Sequence, residues 1–219
     1  MLFQYISQYI NPIDLLLRIP GVIIALSFHE FAHAMAADKL GDPTPREKGR
    51  LTAEPLLHLD FFGFLLTWIS GFGWGKPVPI DIRKFKNPTK DHMLVSAAGP
   101  TMNFALAIIF TILLKIMYST PLLSGVDLSI QHGIWIMLQY IIKINIALVI
   151  LNFLPIYPLD GFHIMTNFVP YYNRLKFYRF QRYGQWILIV LVLPLSPFFL
   201  APIRDNIYGG IMRLFNLPL

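Results

Sequence analysis

The chain has 219 residues, 55% of them hydrophobic and only 14% charged, with a mean hydropathy of +0.55 and a net charge of +6. Soluble domains carry about 25% charged residues, and a chain of this size still needs a wetted surface, so the composition excludes an ordinary soluble domain and points to an integral membrane protein. No basic stripe interleaved with exposed aromatics occurs, which argues against nucleic acid as a partner, and the absence of cysteine excludes disulfides and thiolate metal sites.

The first seventeen residues hold no Lys or Arg, so a cleaved signal peptide is not expected, and "MLFQYISQYIN" reads as a short amphipathic lead-in lying at the membrane interface. Four apolar stretches then approach the roughly 20 residues that a helix needs to cross hydrocarbon: 13–37, 92–118, 131–153 and 184–203. Between the first two lies 59–81, "LDFFGFLLTWISGFGWGKPVPID", broken repeatedly by glycine and proline. Its backbone needs protein partners in place of lipid, so it reads as a re-entrant or hairpin element, with a fifth, kinked span as the alternative. Nine of the 18 basic residues fall in 38–91, none in 119–130, and Arg174, Lys176, Arg179 and Arg182 in 154–183. Alternate loops are basic, as four spans give with both termini outside and loops 38–91 and 154–183 cytoplasmic. The expected fold is an all-α, multi-pass cell-membrane protein with about four transmembrane helices and a hairpin between the first two. It forms a single domain, 1–219, with a core at 13–169 and an additional C-terminal span.

The first span contains "HEFAH". His29 and His33 are four apart, so a helix stacks both imidazoles on one face, within reach of a single ion. Glu30 lies about 100° round the helix, aimed at a water on that ion. Two histidines, a carboxylate and a water make an open zinc site, one ion per chain. Zinc acidifies its water, and a glutamate takes the proton as that water attacks a carbonyl, which is the chemistry of peptide hydrolysis. The competing reading is a pair of packing histidines with Glu30 neutral or paired to lysine. The third ligand is sought in "NFLPIYPLDGFH" after the third span, where Pro155, Pro158 and Gly161 break the helix. Asp160 there is a carboxylate at membrane depth, costly without a cation. His163 is the rival ligand, and a helix-capping aspartate the bland alternative.

"HEFAH", "SAAGPTMNF" (96–104) and "NFLPIYPLDG" (152–161), in this order, resemble the site-2 protease family of intramembrane zinc metalloproteases. The linker stretches "GRLTAEPLLHLD" and "GWGKPVPID" resemble small bacterial members. The resemblance covers most of 20–165. It implies zinc on His29, His33 and Asp160, Glu30 as base, and Asn152 holding the reacting carbonyl or its oxyanion. It also implies transmembrane segments of other proteins as substrates, cut within or near the bilayer. Asn152 has a helix–helix hydrogen bond as its competing role. Gly99, Pro100 and Asn103 are read as shaping close packing of the second span on the first. Residues 78–80 are read either as an edge for the unwound substrate or as plain loop.

Lys143, mid-span, is expected to snorkel or to pair with a neighbouring carboxylate. His58, His92 and His132 read as ordinary polar residues near loops, with His58 left open as a contributor to the site. The basic aromatic run 171–183 suits anionic headgroups. Two rival functions stand beside the protease: a divalent-metal transporter, which would want internal repeats that the sequence lacks, and an inactive relative that shelters membrane partners, which would have no need of Glu30. Oligomeric state is not legible.

Overall fold

Helix ends are written in the polar residues that flank the apolar runs. The first helix, α1 (Pro12–Lys39), opens on a proline, carries Asp14 in its first turn and closes on Lys39, both complementing the helix dipole. Pro88 starts α5 (Pro88–Ser119), where Asp91 accepts the Asn87 N–H at 2.8 Å. Asp127 caps α6 (Leu128–Asn152) by accepting the Ser129 N–H at 2.8 Å. Between α1 and α5 come the short helices α2 (Thr44–Glu47) and α3 (Pro55–His58), α4 (Phe61–Ser70) and a single tight turn at Ile82–Lys84. After α6 follow α7 (Asp160–Thr166), α8 (Tyr171–Ile187) and α9 (Leu193–Leu214). This computed structural model describes residues 12–70, 73–188, 190 and 193–218. Among them the chain is helical, with no strand.

Helices α1, α5 and α6 pack against one another and form the centre. They are also the three helices long and apolar enough to cross a membrane. Their bounds fall within a few residues of the expected 13–37, 92–118 and 131–153. Val22, Ala25 and Leu26 of α1 meet Ile144 and Leu148 of α6, while Ala107 and Leu114 of α5 meet Leu138, Ile142 and Ile146. No single described helix covers 184–203. That range runs from the end of α8 into α9, and residues 189, 191 and 192 are outside the described residues, as is the lead-in 1–11. The run 171–183 lies on α8.

Helix α4 lies along α1, with Trp68 Nε1 donating to the Leu15 carbonyl at 2.6 Å and Arg18 to the Ile69 carbonyl at 3.2 Å. From Gly73 the chain comes back extended and crosses α4 at Gly63, where a Cβ would sit 1.9 Å from the Trp74 carbonyl oxygen. Only glycine allows that crossing. The returning stretch is held at its far end by Asp42, fully buried, which accepts the Asp81 N–H at 2.7 Å and the Thr44 N–H at 3.0 Å. Lys143, expected to snorkel or to pair with a neighbouring carboxylate, has its Nζ 4.6 Å from the Tyr208 ring centre and feels the charge of Asp205 on α9.

Candidate active site

His29 and His33 project from one face of α1 towards α5, and Gly99 makes room for them. A Cβ at position 99 would lie 2.4 Å from His33 Nε2 and 2.7 Å from His29 Nε2, so any side chain there displaces an imidazole. Asp160, first residue of α7, reaches the same point because the chain turns back after α6 through Pro155 and Pro158. His29 Nε2 and His33 Nε2 are 3.0 Å apart, and Asp160 Oδ2 lies 3.2 Å from the first and 3.3 Å from the second.

The other ring nitrogens decide what that triangle is. His33 Nδ1 lies 2.8 Å from the Val95 carbonyl oxygen, which can only accept, so Nδ1 carries the hydrogen. His29 Nδ1 lies 2.6 Å from Asn103 Oδ1. The Asn103 amide is oriented by its own donations, from Nδ2 to the Ala25 carbonyl and to Asn145 Oδ1, both at 2.9 Å. Both histidines therefore turn an Nε2 lone pair towards a buried carboxylate oxygen that has no hydrogen-bond donor. A proton on one Nε2 would relieve one edge of the triangle and leave the opposite contact between lone pairs. A single divalent cation relieves all three. Tetrahedral zinc with bonds of about 2.0–2.1 Å sets its ligands about 3.3–3.4 Å apart, close to the observed edges. Among the described residues these three are the group of three ligand side chains close enough to share one ion.

Glu30, also buried, points into the same cavity of about 320 Å³, where its Oε2 accepts the Val78 N–H at 3.1 Å. Asn152 lines the cavity as well, but its Nδ2 donates to the Leu148 carbonyl at 3.0 Å on its own helix. One of the two amide hydrogens is thereby used, and the other has no partner among the described residues. His163 lies on the cavity wall outside the three-residue ligand group. His58 is fully buried but does not line the cavity. It donates from Nε2 to the Thr52 carbonyl at 2.6 Å, and burial pushes its imidazole pKa down.

Several supporting residues escaped the sequence reading. Asn103 is a partner of His29 as well as a packing residue, and Asn145, not singled out, holds Asn103 and donates to the Ile141 carbonyl at 2.8 Å. The available signal was their position, two amides inside apolar runs where polarity is costly. Arg50 went unnoticed because its role depends on a distant segment: it donates to the Lys76 carbonyl at 2.6 Å and the Pro77 carbonyl at 3.3 Å.

Comparison with known proteins bears on what this centre does. The profile of peptidase family M50 matches residues 117–195, the stretch that includes Asn152 and Asp160. A Bacillus subtilis (strain 168) protein named "Putative zinc metalloprotease YwhC" is 38% identical over 200 residues, covering 89% of each chain. The chain belongs to peptidase family M50. This is the family of intramembrane metalloproteases that its three motifs resemble. "Putative zinc metalloprotease Rip2" of Mycobacterium tuberculosis (strain H37Rv) is 26% identical over 204 residues, covering 91% of this chain and 73% of that one. The Mycolicibacterium smegmatis protein of the same name is 27% identical over 188 residues, covering 83% and 68%. No solved structure matches.

Proposed function

We propose that this M50 member is an intramembrane zinc endopeptidase in which Nε2 of His29, Nε2 of His33 and Oδ2 of Asp160 hold one zinc ion. The observation that carries the reading is the convergence of three lone pairs at 3.0–3.3 Å, with the hydrogens directed away onto Asn103 and Val95. Bound there, zinc supplies the Lewis acidity that polarises a carbonyl and acidifies water. Glu30, on the same cavity wall, takes the proton of the attacking water and returns it to the leaving amine. The second Asn152 amide hydrogen stabilises charge on the carbonyl oxygen, where an uncharged donor in a low-dielectric cavity acts strongly. The whole chain, 1–219, works as one domain with its core at 13–169.

Substrates are transmembrane segments of other proteins. His33 and His29 lie six and ten residues before Lys39, the end of α1, which puts them about 9 and 15 Å inside the helix end. A peptide bond held in a membrane helix reaches that depth only after the helix opens locally. The extended stretch at 78–80 lines the cavity and offers an edge to the opened strand, which would then compete with Glu30 for the Val78 N–H.

The topology that fits best has four crossings, with 59–81 re-entrant and both termini outside. The fourth crossing is α9. Leu200 packs near Leu151 and Leu159 at the active-site end of α6, Tyr208 and Met212 pack near Leu138 and Ile142, and Asn216 accepts from Lys115 at the far end of α5.

Glu30→Gln tests the assignment. The variant should keep about one zinc per chain yet lose cleavage of a co-expressed single-pass substrate, by a factor of about 100 or more for a lost general base, while His33→Ala should lose both metal and cleavage. Cleavage surviving in Glu30→Gln would remove that residue as base. A zinc-dependent transport current with no proteolytic product would favour the carrier.

A further inference from the structure

The cavity holds a second pair of imidazoles that the hydrolytic machinery does not use. His92, on the second turn of α5, and His163, three residues after Asp160 on α7, both line its wall. Their ring centres are 4.7 Å apart with the planes tilted by 53°, against 4.6 Å for His29 and His33. Neither side chain has a hydrogen-bond partner among the described residues; the His163 ring meets those of Tyr157, Phe162 and His92, and both imidazoles also lie within electrostatic reach of Asp160 and His33. Their ring nitrogens stay open to the cavity, free to take a shared ligand.

The chemistry of the pair selects the occupant. Neutral nitrogens suit zinc, copper, nickel or iron and not magnesium or calcium. An ion bonded to one nitrogen of each ring at about 2.0–2.1 Å would hold the ring centres about 5 Å apart, within a small side-chain rotation of the observed separation. No carboxylate joins the pair, so the ion keeps its full charge and binds more weakly than at the His29–His33–Asp160 triangle. His92 precedes Gly99 by seven residues of helix, about 10 Å towards the loop side. An ion there takes up part of the cavity that a peptide needs in order to reach Glu30. We propose that His92 and His163 form a second, lower-affinity site for a divalent transition metal, and that filling it blocks substrate entry. The binding claim stands on the pair alone; the blocking claim rests on the proposed active site.

Zinc titration of the purified full-length chain in lipid nanodiscs tests both claims. The wild type should bind two zinc ions per chain in separate steps. Substituting both residues (His92→Gln with His163→Gln) should leave only the tighter one, and His29→Ala with His33→Ala only the weaker. Free zinc that fills the second step should suppress cleavage by the wild type, and the glutamine variant should need about tenfold more zinc or greater for the same fractional loss. A single zinc in the wild type, or two in the glutamine variant, overturns the site; inhibition that persists in that variant at the same zinc level overturns the block. Failure of the alanine variant to lose the tighter ion would count against the proposed active site and leave this one standing. If the glutamine variant does not fold, the single variants His92→Gln and His163→Gln decide: loss of the weaker zinc in each supports the site, and two zinc ions retained in both overturns it.

Discussion

A histidine that offers Nε2 to a metal must place the hydrogen on its other ring nitrogen, and for His29 that place is Asn103, fully buried and held in turn by Asn145 and the Ala25 carbonyl. One ring orientation is thus fixed by residues of α1, α5 and α6 together. Removing such a partner weakens metal binding by about 10–100-fold. Asn103→Leu should therefore lower zinc affinity by that factor, measured by chelator competition, and Asn103→Asp, which keeps the acceptor, should recover most of it. Asn145→Leu supplies the contrast. It leaves a buried amide unpaired, which costs about 1–3 kcal/mol of stability, but it keeps the His29–Asn103 contact and should hold zinc within a few-fold of wild type. Equal losses of affinity in Asn103→Leu and Asn145→Leu would make the effect one of stability and not of ligand orientation.

The extended stretch 73–81 is the element with the least secondary structure of its own, and the side chains around it hold it in place. Arg50 clamps the Lys76 and Pro77 carbonyls, the His58 carbonyl accepts the Lys76 N–H at 2.7 Å, and Arg50 also lies 3.5 Å from His58 Nδ1. Replacing Arg50 by Gln should speed amide exchange in 73–81 about tenfold, the low end for hydrogen bonds to a charged group, because the guanidinium is partly exposed. Acid should act in the same direction. The folded His58 pKa lies below its ordinary value of 6.5, through burial, with the Arg50 charge also lowering it. The stability it contributes is thus complete above 6.5 and is lost as pH falls through the folded value. Protection of 73–81, with exchange corrected for the intrinsic slowing of amide exchange in acid, should fall as pH drops below 6.5 in the wild type and lose that dependence in His58→Asn. A flat profile in the wild type would remove His58 from the clamp. Only part of this was legible in the sequence. "HEFAH" could be read because helical period alone stacks its histidines, and Asp160 because a carboxylate on a broken helix at membrane depth wants a cation. Arg50 with Lys76, Asn103 with His29 and His92 with His163 are meetings of segments far apart in the chain, which no local pattern encodes.

For the molecule as a whole, hydropathy located α1, α5 and α6 but not the last helix, because the apolar run 184–203 and the helix Leu193–Leu214 are offset from each other. The later half of α9 carries Arg204, Asp205 and Arg213, which lower its apolar signal, while Leu200, Tyr208 and Met212 on its buried face tie it to α6 along most of its length. The side on which α9 ends separates the topologies. With four crossings, Leu214 emerges with the 119–130 loop, opposite the basic loop 38–91; with three, it emerges on the side of that basic loop. A chain without cysteine makes the test clean, since every label reports an introduced thiol. Ser124→Cys and Leu214→Cys should react with a membrane-impermeant maleimide on intact cells, and Lys48→Cys only after permeabilisation. All three residues are exposed in the fold, so protection reflects the membrane and not burial in the protein. If Leu214→Cys labelled together with Lys48→Cys, α9 would be an interfacial helix, and its packing on α6 would have to be accommodated without a fourth crossing.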